Sequence, residues 1–528
     1  MKDILLVTAT ALGLVSFGGN LSSRWVFVDD VLTDDAKLAR VTNAVELAAA
    51  NGANGILLGC GLDTWKSHPR PWRDRFFKVK DLCAARGLEI IPDIWSAGHG
   101  TFINTGIDRM EGVAVEDAPF VAREGVAVWD RAAANETKLD AAKGWNKVGG
   151  MHRWICTVDV KPHRRYRLFF TVRTLGLEAK EPFKVLATHV QHKQWFPSDQ
   201  IRLPVKGDTP WQPHSFDFNT FDDTRYHLYV GLMSGWQSGT FELKDVSLAE
   251  AAPTDVLTRP GAPRSLRNAA TGEVYREGAD YEVPPMRRWQ WKGGEPIVEL
   301  KLPPTGRIRP GTALRFDSYV PALVEGNCFS TCLSEPDVWK AFEQSAADIE
   351  RLLSPKRWFF SMDEFRTGNT CAACKARNLT MAQLYGEALT RMHGIVRRVH
   401  PGAEIYVWSD MLDPNHNGVE QYYNCRGSFA DAWRHVPKDL VIACWYDRKG
   451  AESLAFFSGH GFRTFVASYY DEKPPFEHAR RWRDAARATK GCTGWMYTTW
   501  RKAYGDLPAF CKLMNAESDV LNKERANR

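Results

Sequence analysis

Arg357-Trp-Phe-Phe-Ser-Met-Asp-Glu-Phe-Arg366 is the stretch on which the fold turns. Trp358, Phe359 and Phe360 favour extended backbone, and an unbroken apolar run of this length suits a strand covered on both faces, as parallel strands under helices are. Side-chain alternation sends Phe359, Ser361 and Asp363 to one face and Trp358, Phe360 and Met362 to the other. Two neighbouring acids therefore cannot both point inward from a regular strand, and Glu364 must project from the strand's end or the first loop residue. In a parallel α/β barrel that end is the catalytic face, so Asp363 and Glu364 read as two carboxylates at one site. A salt bridge from this loop to Arg366 is the structural alternative.

Outward from this run the text repeats a strand and helix rhythm. Before it come strands at 25–30, 55–60 and 88–95, with helices at 34–51 and 72–86, the second closed by Gly87. After it come strands at 404–410, 440–447, 463–471 and 492–500, with helices at 381–400, 451–461, 476–490 and 508–521. A further helix, 334–353, leads into the central strand. Strands alternating with helices at this spacing imply right-handed βαβ units. Three strands before the run, the run itself and four after it give the expected fold, a (β/α)8 TIM barrel interrupted after strand three by an inserted all-β, jelly-roll-like domain.

The interruption shows no helical period. Residues 166–173, 183–187, 215–218, 227–232 and 239–248 are short strands bounded by turns, the pattern of a β-sandwich. Its architecture resembles a carbohydrate-binding module, and a structural spacer fits the same text. A Pro-rich linker at 253–263 and further β text to 320 follow. The expected organisation is a signal peptide over 1–20, barrel over 21–103, inserted sandwich over 104–255, linker and small β region over 256–321, and barrel over 322–528. The leader reading rests on the apolar run 4–19 behind Lys2, too short and Gly-broken for a membrane span, and points to a secreted or periplasmic protein.

Composition bounds the function. With 528 residues, 44% hydrophobic and 25% charged, the chain is long enough for two or three cores. A net charge of +6 without a block of like charges gives no reason to expect nucleic acid or an anionic membrane as partner. The 20 Trp residues supply flat apolar faces with a polar edge, suited to sugar rings as well as to core filling. Eleven Cys cannot all pair within one chain. Cys60, Cys83, Cys156, Cys444 and Cys511 sit in apolar runs as core residues. Cys328-x3-Cys332 and Cys371-x2-Cys374 fall in loops beside the central strand, where four thiols could form disulfides or hold a structural zinc; the secretory reading favours disulfides.

The expected strand ends carry Asp29-Asp30, Gly59-Cys60, Asp93-Ile-Trp95, Asp363-Glu364, Trp408-Ser-Asp410, Trp445-Tyr446-Asp447, Tyr469-Tyr470-Asp471 and Trp495-x-Tyr497-x-x-Trp500. Acids and aromatics at a barrel mouth are what glycoside chemistry needs: carboxylates to protonate the leaving oxygen and stabilise an oxocarbenium-like centre, rings to stack on the sugar. For any one of these aromatics, a place in the core is the alternative. His99 and Arg366 belong to the same candidate set. Asp410, Asp413, His416 and Asn417 suit a turn bonded to sugar hydroxyls better than a divalent cation site. No cofactor or catalytic metal is implied, and the expected partner is an oligosaccharide or polysaccharide.

The order of Pro92-Asp-Ile-Trp95 with Gly98-His-Gly100, Met362-Asp-Glu364, Trp408-Ser-Asp410, a Trp on strand six, Tyr-Tyr-Asp on seven and Trp on eight resembles family 20 glycoside hydrolases, the β-N-acetylhexosaminidases. The resemblance covers 24–100 and 328–507. It implies that Glu364 is the general acid/base and that Asp363 orients a 2-acetamido group whose carbonyl oxygen attacks C1. It also implies that Trp408, Trp445 and Trp495 wall the pocket and that Tyr470 donates to the acetamide. The chain departs from that family's pattern in several places. Ser361-Met362 stand where Gly-Gly is usual, Asp93 stands where a Glu is usual, no substrate-binding Arg is evident on strand one, and the β-domain interrupts the barrel instead of preceding it. An ordinary two-carboxylate glycosidase, with Asp447 or Asp471 as nucleophile, and a non-catalytic sugar-binding protein are the alternative readings.

Overall fold

The computed structural model describes residues 21–100, 106–191, 197–285, 298–325 and 328–516. The expected leader, the start of the insertion at 104, the last turn of the expected final helix and the side chain of Cys328 lie outside the described residues. No helix among the described residues is long and apolar enough to cross a membrane.

Eight parallel strands close into one barrel. In ring order they are Ser23–Asp29, Gly55–Gly59, Glu89–Ile94, Arg357–Phe360, Glu404–Trp408, Val441–Cys444, Arg463–Tyr469 and Cys492–Thr498, referred to below as strands one to eight. Their apolar runs are covered on both faces: Trp358, Phe359 and Phe360 of strand four are all fully buried, which is why this text does not alternate.

The chain nevertheless does not form the expected (β/α)8 barrel. Strand five is followed by the 3-10 turns Asp410–Leu412 and Ala432–His435 with no α-helix between it and strand six, and strand outweighs helix over the structure as a whole. The reason is local chemistry. Asp413-Pro-Asn-His-Asn-Gly418 offers the backbone side-chain acceptors, a proline and a glycine, all of which favour turns over a continuous helix. Asp413 accepts the Asn415 N–H at 2.9 Å, and the Gly418 N–H bonds back to the Asp413 carbonyl at 3.0 Å.

The chain divides into two compact units, residues 1–60, 74–91 and 438–528 in one and residues 61–73 and 92–437 in the other. The first unit carries strands one, two, six, seven and eight with helices Asp35–Ala50, Gly450–Gly459, Glu477–Ala488 and Leu507–Asn515. Asp34 caps the first of these by accepting the Lys37 N–H, and the helix buries Val41, Ala44, Val45 and Ala48.

The second unit carries strands four and five, helices Pro336–Leu353 and Met381–Val399, and the whole insertion. A reciprocal capping box of Thr380 and Gln383 starts Met381–Val399. Among the described residues, no strand of the insertion joins the barrel ring. A five-stranded sheet centred on Arg225–Leu232 and a four-stranded sheet centred on Arg165–Ala179 and Trp236–Glu250 enclose one core, with Trp154, Leu168, Val172, Val185 and Leu228 fully buried. A six-stranded antiparallel sheet has its own core around Val256, Leu266, Leu300 and Phe316. The expected boundary at 255 does not separate these sheets, because Gly112–Arg123 pairs with Ala313–Pro321 from the far side of the sandwich.

One small feature positions the site. Thr367–Gly368, after strand four, and Asn424–Cys425, after strand five, form a two-stranded parallel sheet. The Asn424 N–H donates to the Arg366 carbonyl at 2.9 Å and the Arg426 N–H to the Gly368 carbonyl at 3.0 Å, so the two loops are one hydrogen-bonded body.

Candidate active site

In the second unit the end of strand four turns sharply at its acids. Glu364 has φ of 46°, a left-handed conformation that a carboxylate side chain adopts only under constraint. The constraint is visible: its N–H is held by Asp410 Oδ2 at 2.9 Å. That turn frees Glu364 from strand alternation and lets both neighbouring acids serve one site. Gly98 of the loop after strand three lies against the same backbone, where a Cβ would come within 1.9 Å of the Asp363 carbonyl oxygen and 2.8 Å of the Phe365 ring, so only glycine fits.

Four carboxylates collect here. Burial raises the pKa of Asp363 well above the ordinary carboxylate range, and the charges of Asp410, Glu364 and Asp93 add to the effect in that order. Asp93 accepts the Ser361 hydroxyl at 2.7 Å, and Asp410, itself fully buried, also accepts the Asn417 side-chain amide at 3.0 Å. Glu364 pairs with Arg366 at 2.8 Å and lies 3.9 Å from His99 Nδ1. Arg366 in turn lies over the Tyr423 ring, 5.0 Å from its centroid. Asp363 is therefore the member of the pair whose ionisation the surroundings oppose. His416 is kept neutral, its pKa lowered to about 4 by burial.

Two expected sugar contacts in this unit are core residues. Trp95 is fully buried, stacks on Phe342 and Phe360 at 4.7 and 5.1 Å, and donates its indole N–H to Ser345 at 2.7 Å. Trp408 is 3% exposed and packs edge-on against Phe359 at 4.8 Å.

The first unit treats its candidates in the same divided way. Trp445 and Tyr470 are half-buried and stacked on each other at 5.9 Å with 18° between their planes, a partly exposed aromatic pair. Tyr446 is half-buried beside them in sequence. Trp500 is 51% exposed and meets Phe27 edge-on. Trp495, by contrast, is 1% exposed and packs on Phe510, so it is core. Tyr469 and Tyr497 stack at 4.0 Å and turn their hydroxyls to Asp506 and to the Ala503 carbonyl, which ties down the chain after strand eight. Asp471 holds that same turn, accepting from the Thr499 hydroxyl and from the Trp500 and Arg501 N–H groups. Asp30 is buried between Arg40 at 2.7 Å and Lys502 at 3.2 Å. Both acids are occupied by the protein's own donors.

Several groups at the second unit's site escape sequence reasoning. Tyr385 donates its hydroxyl to the Met362 carbonyl at 2.7 Å from helix Met381–Val399, and its pKa is raised by burial, then by Asp410 and Asp363. Tyr422 is buried, and burial, Glu364 and Asp410 raise its pKa. Asp63 belongs to the packing around the core residue Trp95 instead: it accepts the Trp95 N–H at 3.0 Å and is pushed up to about 7 by burial. The Tyr422-Tyr423 pair beside the DPNHN turn is the one signal that points to them in the sequence.

No protein-family model and no curated protein matches the chain. Among solved structures, a CBM4 carbohydrate-binding module aligns with 14% identity and a TM-score of 0.17, covering 26% of this chain and 78% of the module. The β-N-acetylhexosaminidase from Bacteroides fragilis aligns with 12% identity and a TM-score of 0.24, covering 37% of this chain and 44% of that one. The GH20 β-N-acetylhexosaminidase from Streptomyces coelicolor gives 12% identity and a TM-score of 0.24, covering 38% of this chain and 43% of that one. The chain thus spans less than half the length of either hexosaminidase, and the likeness is distant.

Proposed function

We propose that the chain is a glycoside hydrolase whose reacting centre is the Asp363–Glu364 pair, acting on a glycan that carries a 2-acetamido sugar. The observation that supports this most is the carboxylate cluster itself: burial and the charges of Asp410, Glu364 and Asp93 oppose ionisation of Asp363, while Glu364 faces Arg366 and His99. Glycoside cleavage needs a proton for the leaving oxygen and negative charge to stabilise the sugar ring as it becomes cationic. A carboxyl that resists ionisation beside further acids offers both at one site. In this reading Glu364 takes a proton from the cluster, passes it to the glycosidic oxygen and recovers one from the attacking water. Asp363 meets the acetamido group, and Asn417 and His416 frame the sugar hydroxyls, with Asp410 holding Asn417 and the Glu364 backbone from behind.

Asp471 is a poor nucleophile in the alternative two-carboxylate scheme, because both of its oxygens are engaged in holding the turn after strand eight. The test is hydrolysis of a panel of 4-nitrophenyl glycosides by the full chain. Release from the N-acetylglucosaminide or N-acetylgalactosaminide, lost in Glu364→Gln, is the expected result. Turnover only of sugars without the acetamido group would overturn the substrate assignment, and no turnover of any member would overturn the activity.

A further inference from the structure

Away from the carboxylate site, Cys332, Cys371, Cys374 and Glu111 bring one ligand atom each to within 4.8 Å of one another, and all four residues are buried. Cys332 Sγ lies 3.5 Å from Cys371 Sγ and 3.7 Å from Cys374 Sγ, and Cys374 Sγ lies 3.5 Å from Glu111 Oε2. A disulfide would bring two sulfurs to about 2.05 Å. Four ligands around a tetrahedral zinc with Zn–S bonds of about 2.3 Å stand about 3.8 Å apart, which is the spacing seen here.

The surroundings select for a cation bound by anions. Glu111 is 1% exposed, and its Oε1 is fully engaged by the Thr370 and Cys371 N–H groups at 2.8 and 2.7 Å and by the Thr370 hydroxyl, which aims Oε2 at the sulfurs. Arg259, 4% exposed, adds positive charge beside Cys332, Cys371 and Glu111, and its Nη2 has no hydrogen-bond partner among the described residues. Three thiolates and a carboxylate around a dication carry excess negative charge, and a buried guanidinium next to them offsets part of it.

We infer that Cys332, Cys371, Cys374 and Glu111 form a structural zinc site. The donor set is soft and closed, with no ligand position open to a substrate, so the metal's role is to hold chain together. It joins three separate segments: the turn leading into helix Pro336–Leu353, the loop following Glu364 and Arg366, and the first residue before strand Gly112–Arg123 of the six-stranded sheet. Cys371-Ala-Ala-Cys374, a pair two residues apart at the start of a short turn, is the sequence element that makes such a clamp possible.

The full chain, purified under reducing conditions and dialysed against a weak chelator, is expected to retain about one zinc per chain by elemental analysis. The Cys371→Ser/Cys374→Ser double variant should retain less than a tenth of that, and Glu111→Gln should lose zinc to a competing chelator at least tenfold faster than wild type. Because these variants could fold poorly, the wild-type chain is also loaded with Co(II). A thiolate-to-cobalt charge-transfer band together with intense tetrahedral d–d bands supports the site. A metal-free chain that takes up neither zinc nor cobalt, or a disulfide among Cys332, Cys371 and Cys374 found by mass spectrometry of the unreduced protein, would overturn it.

Discussion

Asp410 Oδ2 accepts the backbone N–H of Glu364 at 2.9 Å while its charge, second to burial, opposes ionisation of Asp363 one residue earlier. A single buried carboxylate thus orients one member of the pair and, after burial, adds most to the resistance of the other to ionisation. Asp410→Asn separates the two roles, since the amide oxygen still accepts the N–H but the charge is gone. The Asp363 titration should then move to lower pH, because the removed charge opposed ionisation. Carboxyl-stretch difference infrared spectra of D410N and D410N/D363N read this directly; an unmoved band would exclude the coupling.

Leaving-group dependence separates the acids of the pair. Glu364→Gln should reduce turnover about 10²–10⁴-fold on substrates with poor leaving groups and far less on activated aryl glycosides, which need little protonation. Asp363→Asn should slow both kinds to a similar degree. Steady-state kinetics over a series of substituted aryl leaving groups gives the two slopes, and equal slopes in both variants would remove Glu364 from the proton-transfer role.

Asp63 makes stability depend on pH in a predictable direction. Its carboxyl titrates near 3.8 in an unfolded chain and is pushed up to about 7 here by burial, so between those values the unfolded state releases a proton that the folded state retains. Stability therefore falls as pH rises from about 4 to about 7 and levels off above. Asp63→Asn keeps an acceptor for the Trp95 N–H and removes this slope. Urea midpoints at pH 5 and pH 7.5 should differ less in D63N than in wild type.

The two tryptophans expected to act alike should behave oppositely. Trp495→Ala empties a fully enclosed core position and should destabilise the fold by about 3–5 kcal/mol, seen in the unfolding midpoint. Trp445→Ala removes one partner of a partly exposed stacked pair, so the fold should be nearly as stable. Its unfolding midpoint should stay close to that of the wild type.

Gly98→Ala should be severe despite adding one methyl group. The new Cβ would meet backbone, not a side chain that can swing away, at the carbonyl of Asp363. Activity should fall much further than the thermal midpoint does, because the displaced backbone carries the acid pair.

What could be seen in the sequence was the period: the strand and helix rhythm on both sides of the insertion, and the β text within it, appear at the expected places. What could not be seen was which face of each strand end looks inward and who occupies each acid. Trp95 and Trp495 read as mouth aromatics because they end strands, yet their backbones direct them into packing against Phe342 and Phe510. Asp30 and Asp471 read as site acids, and only distant partners, Arg40, Lys502 and Thr499, show that they are spent on structure. The left-handed Glu364 depends on Asp410, 46 residues away, and no local pattern encodes that bond. The DPNHNG turn after strand five carries no helical period, and no helix was expected over 411–439; the eightfold strand and helix reading passed over that gap.

The parallel pairing of Thr367–Gly368 with Asn424–Cys425 has a consequence for how this site can change over generations. Glu364 rides on one of those loops and Asp410 on the other, and the backbone ladder between them means neither can be replaced by a foreign loop without losing its partner's edge. New specificities grafted onto this scaffold, by recombination or by design, would have to be inherited as a matched couple, and single-loop chimeras would be selected against before their chemistry was ever tried.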